Sequence, residues 1–225
     1  MLGRAGIGIM VLIVADIALS SVAVVRYPAL LQQHLALLYL LEPAAILLVY
    51  AIGTIYLAKA KRDLWSSIRR NATVFGLVTG AIELVNLGLE NLAPTFASGP
   101  VVSIGFMLLV FVLWGVGASW SVRSSKSVGA GILTAITSAG ICMLIAVAGG
   151  FVVELLVAPP NAALVSTWAE FKRSGWTDPY AFGLANALDS GFTHLLIAPV
   201  VALIFGGVAS LLTRFLTAKA VPASA

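Results

Sequence analysis

Six long apolar stretches follow one another along the chain, separated by short polar segments. The hydrocarbon core of a bilayer is about 30 Å thick, so a helix needs about 20 apolar residues to cross it. The pattern shows no sustained alternation typical of strands and predicts an all-α polytopic membrane protein, a bundle of six transmembrane helices in a single domain over residues 1–225. The predicted spans are Gly6–Val25, Ala36–Leu57, Thr73–Leu92, Val101–Trp120, Gly131–Val157 and Gly183–Leu212.

The composition agrees with a membrane location. Hydrophobic residues make up 60% of the chain and charged residues 10%, against about 25% charged residues in an average soluble domain. The first stretch lies where a signal peptide would, but its length exceeds the usual 7–15-residue signal core, so we expect a membrane span there. The single cysteine, Cys142, excludes an intramolecular disulfide and a thiolate metal site.

The basic residues predict an orientation. The net charge is +4, and we interpret it as a topology signal in the loops rather than as affinity for nucleic acid. Under the positive-inside rule both termini are cytoplasmic, and Lys59–Arg70 and Val122–Ser127 are inner loops, as in a bacterial inner-membrane protein. The residues placed inside are Arg4, Lys59, Lys61, Arg62, Arg69, Arg70, Arg123, Lys126, Arg214 and Lys219, whereas Arg26, Lys172 and Arg173 are placed outside.

The longest connection, over residues 158–180, belongs to the outer side. It opens with Pro159, Pro160 and Asn161, and Asn161 is a suitable N-cap. An apolar stripe then recurs at helical spacing and predicts a short interfacial helix that covers the bundle; the alternative is a segment that only returns the chain. The stripe consists of Leu164, Trp168 and Phe171.

A weak internal similarity is compatible with an inverted repeat. Phe75–Leu77 opens the third predicted span and Phe182–Leu184 opens the sixth, with the same three residues in each case. Two halves of three spans related by inversion are common in transporters. The sequence thus suggests a 3+3 inverted repeat, although three matching residues also recur by chance.

Six of the nine acidic residues fall within the predicted spans, without a lysine or arginine there. A charge at the bilayer centre costs at least about 2.5–3.5 kcal/mol, so these groups must be protonated, hydrogen-bonded, hydrated or bound to a cation. Their depths favour a funnel that opens to the outside. The residues are Asp16, Glu42, Glu83, Glu90, Glu154 and Asp189.

Helical phase groups polar residues on the third and sixth spans. Gly76, Gly80, Glu83 and Glu90 share an arc of about 80°, bordered by Asn86, and the two glycines predict close packing against another helix. A second stripe lies on the sixth span, next to His194, and we expect the two stripes to face each other. This second stripe consists of Asn186, Asp189, Ser190 and Thr193.

These patterns give each residue an expected role. Glu83 and Asp189 are the expected central ligands or proton carriers. Glu90 is expected at the mouth of the cavity, and Asp16 is expected at its floor. Asn186, Ser190 and Thr193 would supply neutral oxygens, and the secondary candidates are His194, Asn86, Glu42 and Glu154.

Several of these acids also have simpler explanations. Glu154 could pair with Lys172 or Arg173, and Glu42 could favour a helix start just before Pro43. Asp16, one turn before Ser20, could be a protonated packing residue.

The preferred function is transport of a cation, protons or a small polar solute through a cavity lined with carboxylates. A non-catalytic membrane subunit or scaffold is the main alternative, and an aspartyl-type hydrolase built on Asp16 and Asp189 is a third. No catalytic residue is assigned, and a divalent cation is the only cofactor considered. The expected partners are the lipid bilayer, the solute, and a second copy or another membrane subunit, but no nucleic acid.

Overall fold

The structure is a computed structural model that describes residues 4–31, 36–59, 62–92, 100–157 and 162–219. These residues form helices and short connections, without strands. The predicted cap Asn161 lies outside them. The helices are α1 (Arg4–Arg26), α2 (Ala36–Lys59), α3 (Arg62–Leu92), α4 (Pro100–Ser125), α5 (Val128–Val152), α6 (Ala162–Val165), α7 (Ala169–Ser174) and α8 (Pro179–Lys219), with a 3-10 turn at Pro28–Leu31 and a π turn at Val153–Val157.

Five helices in the described part of the chain are long and apolar enough to cross a membrane. They are α1, α3, α4, α5 and α8, and they confirm the prediction of an all-helical protein with membrane-type helices. The apolar part of α2, Leu41–Leu57, is shorter than the other five segments.

The expected loop before α3 and the expected helix start at Glu42 were wrong. Most of the expected inner loop Lys59–Arg70 is helical, because α3 begins at Arg62 and the next ten residues include no glycine or proline to stop it. Pro43 lies inside α2, since that helix already begins at Ala36. Glu42 therefore does not occupy the helix start expected from the sequence.

Helix α5 lies at the centre of the bundle and packs against α1, α3, α4 and α8. Small residues allow the close approach of α3. A Cβ atom added to Gly76 would lie 2.7 Å from the Cβ of Ile141, and one added to Gly80 would lie 2.7 Å from the Cδ1 of Ile145. The predicted packing face of these two glycines is thus confirmed.

Helix α8 packs on the other side of α5 and runs antiparallel to it. Its buried face includes Phe192, Leu195, Ala198 and Ala202. At Gly206 an added Cβ would collide with the side chain of Ala135. Because α5 lies between them, α3 and α8 do not pack extensively against each other.

The connection between α5 and α8 contains two short helices. The expected stripe is divided between them: Leu164 is exposed in α6, whereas Trp168 and Phe171 pack around Phe182. Trp176 completes this aromatic cluster, with ring centroids 5.4–6.5 Å from that of Phe182. The cluster fastens the connection to the first turn of α8.

Candidate functional site

Asp16 is the most deeply buried acidic residue in the described part of the chain. Its side chain lies on the inward face of α1 with 0% exposure, and neither carboxyl oxygen has a hydrogen-bond partner. Ser20 donates to the backbone carbonyl of Asp16 at 2.7 Å, not to its side chain. An ionised carboxylate without a partner would cost several kcal/mol in such a place, so the neutral acid is the form that this packing accommodates.

Glu83 lies half-buried on α3 within a small polar group. Its carboxylate accepts a hydrogen bond from the Asn86 side chain and interacts electrostatically with Glu90 and with His194 of α8. The other amide atom of Asn86, Oδ1, is buried without a partner. The imidazole Nδ1 of His194 lies 2.6 Å from the Ser190 carbonyl. Glu83 and His194 thus interact electrostatically across the two helices on which the sequence predicted polar stripes, without an ion pair between them among the described residues.

Glu90 lies at the far end of α3, where its side chain is exposed. The Ser103 hydroxyl donates to its Oε1 at 2.9 Å. This hydrogen bond connects the end of α3 to the first turns of α4. Glu90 thus lies near solvent or lipid headgroups, on the same helix face as Glu83.

The polar stripe of α8 points away from the centre of the bundle. Asn186, Asp189 and Ser190 are exposed, and Thr193 is half-buried. The stripe lies opposite the apolar face that packs on α5, and this face carries Leu184, Phe192 and Leu195. Of the residues predicted on α8, His194 is the one that the structure brings into interaction with Glu83.

The remaining candidate acids are separate from this group. Glu42 is exposed on α2, and Glu154 is half-buried in the π turn that follows α5. Among the described ion pairs, Arg173 interacts with Glu170 at 3.7 Å and not with Glu154.

A series of hydrogen-bonded polar side chains in the centre of the bundle was not predicted from the sequence. The Trp114 indole donates to the Thr79 hydroxyl at 3.4 Å, and that hydroxyl also hydrogen-bonds the Cys142 thiol. On the other side of Cys142, the Tyr50 hydroxyl donates to the Leu195 carbonyl at 2.6 Å. The feature of the sequence that could have indicated these contacts is the position of Thr79, one turn before Glu83 on the same helix face.

A cavity of about 250 Å³, here called the Arg69 cavity, lies between α1, α2, α3 and α5. Its walls are mainly apolar and include the glycines Gly53 and Gly140, and Arg69 supplies the charged group. None of the candidate acids lines it. From the sequence, Arg69 was assigned only to the cytoplasmic side, and the cavity was not predicted.

The described side chains hold no group of three or more His, Cys, Asp and Glu residues that could bind a metal ion. The carboxyl oxygens of Asp16 also lack any hydrogen-bond partner, so Asp16 and Asp189 do not share a proton as an aspartyl protease dyad would. The described side chains therefore offer single carboxyl groups rather than a metal-binding cluster or a carboxyl dyad.

Compared with known proteins, the chain matches no family model, no curated protein and no solved structure. The long apolar helices in the described part of the chain are compatible with an integral membrane protein.

Proposed function

We propose that this protein is an integral membrane transport protein that moves protons, alone or together with a small polar or cationic solute. The observation that carries the proposal is the Asp16 carboxyl group, fully buried and without a hydrogen-bond partner inside a membrane-length helix. Ionisable residues in such helices are costly and usually mark a pathway or a proton relay. If Asp16 only packed against its neighbours, an apolar side chain could fill the same space without this cost.

Protons suit this arrangement better than a divalent cation. Calcium requires six to eight oxygen ligands, whereas a single carboxyl group suffices for a proton. No cluster of metal ligands occurs in the described chain, and Glu83 has a hydrogen-bond partner and an imidazole in electrostatic reach. Glu83 and His194 therefore form our proposed exchange group, and Asp16 is the proposed buried carrier.

The other predicted site residues receive roles at the surface. Glu90 would attract cations at the outer mouth, and Asp189, Asn186, Ser190 and Thr193 would line a hydrated vestibule on α8. This proposal includes α2 as the sixth span, cytoplasmic termini and a bacterial inner membrane. It also retains an inverted relation between the two halves, which is a common architecture of transporters.

Proton flux into liposomes tests the proposal. The purified protein is reconstituted with a trapped pH-sensitive dye, and a potassium gradient with valinomycin makes the vesicle interior negative. We expect acidification faster than in empty vesicles, and a loss of at least about tenfold in Asp16→Asn, which keeps the shape of the side chain but removes its proton exchange. Glu83→Gln should slow the flux as well.

Glu170→Gln is the matched control, because Glu170 is exposed on α7 and, in the part of the chain that the structure describes, pairs with its neighbour Arg173. It should leave the flux unchanged. If protein-containing vesicles acidify no faster than empty ones, or if Asp16→Asn retains full flux, the proposal is wrong.

The exposed stripe of α8 favours a second candidate, a membrane subunit that associates through its polar face. Asn186, Asp189 and Ser190 would be expensive to expose to lipid, and a partner helix could hydrogen-bond them. Size measurement in detergent and chemical crosslinking in membranes test this candidate. A complex that Asp189→Leu dissociates, in a protein without proton flux, would favour the subunit over the transporter.

A further inference from the structure

The Arg69 cavity combines an apolar interior with a single cationic group. It extends along α5 from Ile136 to Leu144, nine residues that span about 12 Å of helix. Its volume, about 250 Å³, exceeds the roughly 150 Å³ of a cavity that binds benzene. It therefore has room for several carbon atoms of an apolar chain.

Arg69 lies at one end of this cavity. Helices α3 and α5 run side by side in the same direction, and Ser138 of α5 donates to the Ala72 carbonyl at 3.3 Å. Arg69, three residues before Ala72, is thus level with the beginning of the α5 wall. Ala5 and Leu57 also line the cavity, close to the beginning of α1 and the end of α2. These helix ends place Arg69 at the boundary of the apolar part of the bundle.

Two polar side chains in the cavity wall already have hydrogen-bond partners. The Tyr50 hydroxyl donates to the Leu195 carbonyl, and the Thr54 hydroxyl donates to the Tyr50 carbonyl. Arg69 is half-buried, and no acidic side chain pairs with it in the described part of the chain. The unmatched charge of the cavity is therefore positive and located at the membrane boundary.

We propose that the Arg69 cavity binds an anionic phospholipid, with the phosphate on the Arg69 guanidinium and part of one acyl chain between α1, α2, α3 and α5. Arginine matches phosphate oxygens with parallel hydrogen bonds. The apolar walls exclude a free inorganic anion as the natural occupant, because most of the cavity would then stay unfilled. Basic pockets between membrane helices are a known form of lipid headgroup site. This site is independent of the proton pathway proposed above.

Native mass spectrometry of the delipidated protein in neutral detergent tests the site. Phosphatidylglycerol and phosphatidylcholine with identical acyl chains are added separately, and inorganic phosphate is added as a headgroup without chains. We expect one tightly bound phosphatidylglycerol and at least about tenfold weaker binding of phosphatidylcholine, because its choline ammonium offsets the phosphate charge that Arg69 attracts. Inorganic phosphate at millimolar concentration should not displace the lipid.

Two pairs of variants assign this binding to the cavity. Arg69→Gln should weaken phosphatidylglycerol binding about tenfold, whereas Arg70→Gln, the exposed neighbour outside the cavity lining, should leave it unchanged. Gly53→Leu should also weaken binding, because Gly53 lines the cavity and an added Cβ there meets no atom within 4 Å, so that the new side chain fills the space. Gly105→Leu, at an equally open position outside the lining, is its control.

The lipid comparison and the variants can also contradict the proposal. Equal binding of the two lipids, or equal losses in Arg69→Gln and Arg70→Gln, would overturn the proposal. So would displacement by inorganic phosphate alone or undiminished binding in Gly53→Leu. If Arg69→Gln does not fold, the Gly53→Leu pair and the lipid comparison still decide the question.

Discussion

At the scale of single residues, the closest helix contacts depend on glycines whose missing side chains leave room for a neighbour. Gly76 is such a position, because an added Cβ would lie 2.7 Å from the Cβ of Ile141, a branched atom held near its own backbone. Gly88, on the same helix, has open space around it. The two positions differ in packing and share their helical context.

We predict that Gly76→Ala lowers the free energy of unfolding by about 1–3 kcal/mol, the usual cost of overpacking. Gly88→Ala should be neutral or stabilise by up to about 1 kcal/mol, since alanine favours helix. Unfolding in mixed micelles with increasing dodecyl sulfate measures both. Equal losses in the two variants would contradict the close contact between α3 and α5.

Tyr50 is a second residue whose effect can be isolated. Its hydroxyl donates to the Leu195 carbonyl at 2.6 Å and joins α2 to α8. We predict that Tyr50→Phe loses about 0.5–1.5 kcal/mol of stability in the same assay, whereas Tyr56→Phe, at an exposed position, changes little. If Tyr50→Phe is as stable as the wild type, this hydrogen bond does not help to fasten α2.

At the scale of elements, the link between α4 and α5 has only two residues, and its geometry is demanding. Lys126 adopts φ 58°, in the left-handed region that favours glycine. Ser127 then caps α5, since its hydroxyl accepts from the Ala130 amide at 3.3 Å. This turn holds two long helices antiparallel to each other.

We predict that Lys126→Gly raises the free energy of unfolding by about 0.5–1 kcal/mol, because the strain of the left-handed conformation is removed. Lys126→Val should lower it by at least about 1 kcal/mol, since a β-branched residue tolerates this conformation poorly. Both variants remove the same charge, so opposite signs identify the backbone as the cause. Changes of the same sign would indicate a role of the lysine side chain instead.

The polar stripes show how far an element can be understood from its own sequence. On α3, helical phase correctly predicted that Gly76 and Gly80 face a neighbouring helix. On α8, the same reasoning grouped Asn186, Asp189 and Ser190 on one face but expected that face to point inward. The apolar face through Phe192 and Leu195 packs on α5 instead, because it buries more nonpolar surface against the central helix.

At the scale of the whole molecule, the distribution of basic residues makes a topological prediction. Gly129, at the start of α5, belongs to the predicted cytoplasmic side, and Ser166, between α6 and α7, belongs to the outer side. The native Cys142 is buried, so single cysteines can be introduced over a low background. Both target positions are exposed on the protein surface.

We predict that a membrane-impermeant maleimide labels Ser166→Cys in intact cells and labels Gly129→Cys only after lysis. The wild type should remain nearly unlabelled in both conditions. Labelling of Gly129→Cys but not Ser166→Cys before lysis would invert the orientation. Equal labelling of both in intact cells would contradict an odd number of crossings between them.

Hydropathy alone predicted the long apolar helices and indicated a membrane location, because the thickness of the hydrocarbon core sets a length that can be counted along the sequence. It also located the acidic residues within the apolar segments, since charges there are conspicuous, but not which of them is buried. The order of packing around α5, the partner of Glu83 and the existence of the Arg69 cavity depended on tertiary structure. These features arise from contacts between residues far apart in sequence, and helical period specifies a face without specifying which neighbour it meets.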